Sequence, residues 1–103
     1  MSSYKYVIGI DPGITGAVCV WNTEERIIEL LIDMPVVANG KGSTKVKNVV
    51  EPRSLYFAMA KYSTDSIAHL ESVASRPGNG LASIFSLGDT FGAIRAVLAC
   101  LAI

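Results

Sequence analysis

Net charge is the first thing this chain lacks: nine Lys and Arg balance nine Asp and Glu. The whole-molecule field therefore gives no argument for a polyanionic partner. Cysteine is scarce too. Cys19 and Cys100 stand singly inside apolar runs, which argues against a disulfide framework. They fit small buried hydrophobes in a reducing, cytoplasmic compartment. The N-terminus, Met1-Ser2-Ser3-Tyr4-Lys5, leads straight into an apolar run and has no signal-peptide pattern. A disorder signature is missing as well, since half of the 103 residues are hydrophobic. That is material for one domain with an ample core. Residues 81–103 are apolar enough to raise a membrane question. Asp89 and Arg95 fall mid-segment and are expensive in lipid, so a soluble helix is expected.

The charges that are present are unevenly placed. Residues 1–33 hold Asp11, Glu24, Glu25, Glu29 and Asp33 against Lys5 and Arg26. Residues 34–103 hold seven bases (Lys41, Lys45, Lys47, Arg53, Lys61, Arg76, Arg95) against Glu51, Asp65, Glu71 and Asp89. That asymmetry permits a basic face.

Val7 to Trp21 carries most of the information. Val7 to Ile10 is short and β-rich, and reads as a buried strand that ends on one carboxylate, Asp11. Pro12 and Gly13 turn the chain, and Thr15 and Gly16 lead into a second apolar run. A carboxylate at the mouth of a buried strand is costly without compensation. A divalent cation is one candidate, because Mg²⁺ takes oxygen ligands and needs only one or two protein carboxylates. Backbone N–H groups of the turn are the other.

Along the chain, Tyr4–Asp11 and Thr15–Trp21 are expected to pair as an antiparallel hairpin, with Arg26–Asp33 completing a meander. Pro35 ends it. Residues 36–50, with Gly40, Gly42, Lys41, Lys45 and Lys47, read as an exposed, mobile loop able to touch phosphate. Glu51-Pro52 starts an amphipathic helix that ends near Ser63, with Leu55, Met59 and Tyr62 at helical spacing. Ser66–Glu71 is a fourth strand, and a crossover of this length favours parallel pairing with the first. Ile67, His69 and Glu71 share one face of it. Parallel neighbours would bring Asp11 and Glu71 to one sheet edge, where α/β folds place their sites. His69 is expected to be a satisfied core histidine and is kept out of the site. Asp65 caps or turns the chain before this strand. Ser72–Gly80 is turn-rich, and from Leu81 onward the pattern is helical and apolar nearly all round. Gly88 and Gly92 cost ~1 kcal/mol each inside a helix, so a packing reason is expected, either a dimer contact or this chain's own sheet. The last residues, Cys100 to Ile103, carry no glycine cap or polar tail, and the chain is expected to be part of a longer one.

Four ordered blocks then make a resemblance. Ile8-Gly9-Ile10-Asp11-Pro12-Gly13-Ile14-Thr15-Gly16-Ala17 resembles the first strand and turn of the RuvC family of Holliday-junction resolvases, within the RNase H-like superfamily. Asp33-Met34-Pro35 is similar to the end of that family's third strand. His69-Leu70-Glu71-Ser72-Val73 with Arg76-Pro77-Gly78-Asn79-Gly80 resembles its second-carboxylate strand and following loop. Ser83-Ile84-Phe85-Ser86-Leu87-Gly88-Asp89-Thr90-Phe91-Gly92 is similar to its next helix.

The resemblance implies an α/β fold with an RNase H-like mixed sheet: three antiparallel strands, then a parallel strand, with two helices. It implies Mg²⁺-dependent (Mn²⁺ possible) hydrolysis of phosphodiesters at a four-way DNA junction, in a bacterial or phage-infected cell. Asp11 and Glu71 would be the metal ligands and catalytic carboxylates. Lys41, Lys45, Lys47, Arg76 and Asn79 would contact DNA, and Gly88 and Gly92 would lie in a homodimer interface. The family's fifth strand and its C-terminal carboxylate helix have no counterpart here. The alternative is therefore a catalytically incomplete junction-binding or dimerisation module. An actin-like or sugar-kinase ATPase shares a first strand ending in Asp, but needs a second half for which there is no room.

Overall fold

The computed structural model describes residues 4–39, 47–71 and 80–103. Its elements are β1 (Tyr6–Asp11), β2 (Ala17–Asn22), β3 (Ile27–Asp33), β4 (Val36–Asn39), β5 (Lys47–Val50), α1 (Pro52–Met59), β6 (Ser66–Leu70) and α2 (Leu81–Cys100). One turn of 3₁₀ helix, Ala60–Tyr62, extends α1 to the length that the Leu55, Met59, Tyr62 spacing demands.

The main sheet has the order β3-β2-β1-β6. The first three strands form an antiparallel meander, and β6 joins β1 in parallel. The mixed α/β sheet is thus as expected. Between β2 and β3 the register slips: Leu30 faces Val20 but Ile28 faces Trp21, so Glu29 is the extra residue of a bulge. Asn22 explains the tight β2–β3 turn. It is buried, and its side-chain oxygen accepts the N–H groups of Glu24 and Glu25 at 3.0 and 2.9 Å. Its amide donates to Glu29 at 2.8 Å, so the buried polar group has partners on both sides. Arg26 closes the turn in the left-handed region, φ 59°.

Residues 36–50 differ from the expected loop. Val36, Val37 and Ala38 pair antiparallel with Val50, Val49 and Asn48, and β4 and β5 make a separate two-stranded sheet. The β-branched pairs at each end were too short to show a period, but facing one another they make a ladder. Lys41 and Lys45 lie outside the described residues. Lys47 stands on β5 opposite Asn39.

Strand alternation sorts the sheet into two faces. Ile8, Ile10, Val18 and Val20 are buried in one cluster with Leu55, Met59 and Tyr62, with Ile94, Val97, Leu98 and Leu101 of α2, and with Val50. Ala68, Leu70, Leu30 and Ile32 pack against that cluster. Burying Leu55 and Met59 completely contributes about 1.5–3 kcal/mol each. The alternate residues point to the other face, where Trp21, Ile28 and Leu31 are 39%, 55% and 66% exposed. Among the described residues nothing covers that face. No described helix is long and apolar enough to cross a membrane.

The start of α1 is held by Glu51, whose carboxylate accepts the Ser54 N–H as an N-cap, with Pro52 at the first helical position. That backbone hydrogen bond, chiefly, holds the Glu51 carboxyl below its ordinary range. A depressed folded-state pKa means stabilisation that is present above the unfolded pKa and lost as pH falls through the folded one. The stability difference between wild type and Glu51→Gln, from urea unfolding at a series of pH values, is expected to be constant near neutrality. It should close as pH drops below about 4, the ordinary Glu range. A difference independent of pH would contradict the cap.

Candidate active site: an acid pair at the sheet edge

β1 and β6 run side by side with Gly9 beside His69 and Ile10 beside Leu70. The pairing continues one step past β6, because the Glu71 N–H donates to the Ile10 carbonyl at 3.3 Å. Asp11 and Glu71 therefore fall at the same register position on neighbouring strands, whose backbones lie about 4.8 Å apart. Both follow buried or half-buried apolar residues, Ile10 and Leu70, so alternation turns both toward the uncovered face. Both are exposed. The structure thus places the two residues beside one another at one strand edge, the position expected for them.

The turn after Asp11 offers its carboxylate no hydrogen bond among the described residues. The Gly16 N–H donates to the Gly13 carbonyl at 3.0 Å and the Met34 N–H to the Gly16 carbonyl at 2.9 Å. Neither N–H reaches the Asp11 side chain, and among the described residues the Asp11 carboxylate accepts no hydrogen bond. Glu71 is in the same position. Two outward-facing carboxylates with open oxygen lone pairs, side by side and accessible to water, suit a hard cation such as Mg²⁺ that keeps several waters.

Two neighbours of the pair carry chemistry that the sequence reading did not assign. Asp33 ends β3 opposite Ala17, which in turn stands opposite Asp11. It thus lies on the same face and edge, two strand spacings or roughly 10 Å from Asp11. Its signal was available in the Asp33-Met34-Pro35 strand ending. Among the described residues no three His, Cys, Asp or Glu side chains are grouped closely enough to hold an ion, so Asp33 adds negative field rather than a ligand. His69 is exposed on the acid-bearing face, which corrects the expectation of a core histidine. Alternation had placed it beside Glu71, but which face the helices cover was not in the strand itself.

The remaining candidates are dispersed. Arg76 and Asn79 lie outside the described residues, as do Lys41 and Lys45. Asp65 turns the chain as expected: it has φ 60°, and its carbonyl accepts the N–H groups of Lys5 and Tyr6 at 2.9 and 3.1 Å. Gly88 and Gly92 are exposed, with nothing within 4 Å of where a Cβ would stand, so neither packs on this chain's own sheet. The buried side of α2 is instead Thr90, Ile94, Val97 and Leu98. The pocket between β6 and α2, about 350 Å³ and lined by Leu70, Phe91, Arg95 and Leu98 among others, includes neither acid.

The two turn glycines should respond unequally to substitution. A Cβ on Gly16 would stand 2.0 Å from the Asp11 carbonyl oxygen, whereas at Gly13 the nearest atom is 3.9 Å away. Gly16→Ala is expected to lose at least about 2 kcal/mol in denaturant unfolding, and Gly13→Ala less than about 1 kcal/mol. Equal effects would contradict the close approach of the turn to Asp11. The chain matches no protein-family model and no curated protein.

Proposed function

We propose that the chain is an RNase H-like domain of the RuvC type, a Mg²⁺-dependent endonuclease that cleaves four-way DNA junctions as a homodimer. The observation that supports this best is the acid pair: Asp11 and Glu71, sixty residues apart in sequence, stand beside one another at the C-terminal edge of two parallel strands. The order of the sheet, three antiparallel strands and then a parallel one, agrees with that reading.

In this function Asp11 and Glu71 would hold Mg²⁺ or Mn²⁺. The bound ion would supply a lowered water pKa and stabilise charge on the phosphate. The protein's own contribution is orientation. β1–β6 pairing fixes the backbones of the two acids, and the Asp11 carboxylate accepts no hydrogen bond among the described residues. Lys41, Lys45, Lys47, Arg76 and Asn79 take the DNA phosphates, which positions the duplex arms without reading sequence. Asp33 adds negative charge at the same edge and strengthens the need for cations.

The second reading, a junction-binding module without catalysis, is favoured by the same count of donors: two carboxylates, with no third ligand grouped beside them among the described residues. Binding and cleavage therefore need separate assays. On a synthetic four-way junction, Asp11→Asn is expected to abolish Mg²⁺-dependent cleavage, at least about 100-fold, while junction binding stays within about threefold. Cleavage by Asp11→Asn at the wild-type rate would remove the acid pair from the chemistry. Junction binding by the wild type with no cleavage in Mg²⁺ or Mn²⁺ would favour the module.

For the homodimer, α2 supplies the surface. Leu81 and Phe85 are each 78% exposed, and Gly88 and Gly92 continue the open stripe. Asp89 and Arg95 stand three residues either side of Gly92 and are both exposed. An antiparallel α2–α2 crossing at Gly92 sets each Asp89 against the other copy's Arg95, with no side chain at the crossing point. Gly92→Leu should leave the fold intact, since leucine favours helix and finds open space, and should convert a dimer to monomer in sedimentation. An unchanged dimer would exclude α2 as the contact.

A further inference from the structure

We propose that Gly9 and His69 form a seat for a DNA backbone phosphate one row in from the acid pair, with the imidazole N–H as donor and Gly9 as the floor. The proposal rests on the nuclease-fold reading above and names how that site holds its substrate.

Gly9 is the first observation. It sits inside β1 among Tyr6, Val7, Ile8 and Ile10, and its pairing is unbroken on both sides, with Cys19 of β2 and His69 of β6. No bulge or positive φ at this position calls for glycine. A strand-interior glycine gives up side-chain packing and chain stiffness, and is explained where another backbone or a ligand comes close. The space above it is open: nothing lies within 4 Å of where a Cβ would stand.

His69 is the second observation, independent of the first. It borders that space directly, because it is the register partner of Gly9. It is exposed, takes no hydrogen bond among the described residues, and lies on the same face as Asp11 and Glu71. Two residues along a strand is about 6.6 Å, so the Gly9–His69 row runs parallel to the acid row at that distance. A DNA strand whose phosphate is held at the acids would cross this row next. An imidazole offers a donor N–H in either protonation state, and phosphate oxygens are the commonest acceptors in protein–DNA contacts. Cation binding by His69 is a poorer fit, since no three donor side chains are grouped closely enough to share an ion among the described residues.

The test is binding of a synthetic four-way junction by the full chain, with Mn²⁺ binding and urea unfolding measured on the same samples. Loss of one hydrogen bond to a charged group is expected to weaken junction binding about tenfold in His69→Ala. His69→Gln, which keeps a donor amide, should recover most of it. Gly9→Val should bind the junction at least as weakly as His69→Ala while unfolding no more easily than wild type, because valine suits an open strand position. Mn²⁺ binding should be unchanged in all three. Wild-type junction binding by both His69→Ala and Gly9→Val would overturn the seat, as would loss of Mn²⁺ binding in His69→Ala, which would make it a ligand. Failure of the wild type to bind any DNA would overturn the nuclease reading itself, and the seat with it.

Discussion

The parallel pairing of β1 with β6 is the constraint on which the site depends. One hydrogen bond beyond the end of β6, from the Glu71 N–H to the Ile10 carbonyl, carries the register to the last residue of β1. A slip of one residue would turn Glu71 toward the helices and leave Asp11 alone, because side chains alternate with a period of two. What prevents the slip is the buried face. Ile8 and Ile10 from β1 and Ala68 and Leu70 from β6 belong to the same cluster as Leu55, Met59 and Ile94. The hydrophobic core thus sets the position of two charged groups that take no part in it.

The two faces of the sheet divide the labour. The covered face supplies stability through α1, α2 and the β4–β5 hairpin. The uncovered face is unusual in chemistry: apolar toward β3, with Trp21, Ile28 and Leu31 exposed, and polar along the edge that carries Asp33, Asp11 and Glu71, with His69 one row in. Small residues break the polar surface: Ala17 stands between Asp11 and Asp33 in register, and Gly9 stands beside His69. In the proposed function that combination leaves a shallow approach to the carboxylates for a bulky, charged polymer, which a deep pocket would exclude.

Much of this was legible in the sequence because it rests on local rules. A short β-rich run ending in Asp-Pro-Gly is a strand and turn, and the Leu55, Met59, Tyr62 spacing marks a helix. A strand, helix and strand of that length implies a parallel neighbour, and that pairing alone puts Asp11 and Glu71 at one sheet edge. The features that escaped depend on tertiary partners. Val36-Val37 and Val49-Val50 become strands only by facing one another. His69 was on the right face, but its exposure follows from which side of the sheet the helices cover. Gly88 and Gly92 posed the same question on α2, and the packing of Thr90, Ile94 and Val97 inward answered it.

The central claim is that residues 11 and 71 share one divalent cation. Titrating isotope-labelled protein with substoichiometric Mn²⁺ and following amide signals by NMR tests it directly. The account expects the signals of residues 10–12 and 70–71 to broaden together and first, ahead of those around Asp65 and Asp89. Broadening centred on only one of the two acids, or elsewhere in the sheet, would contradict it.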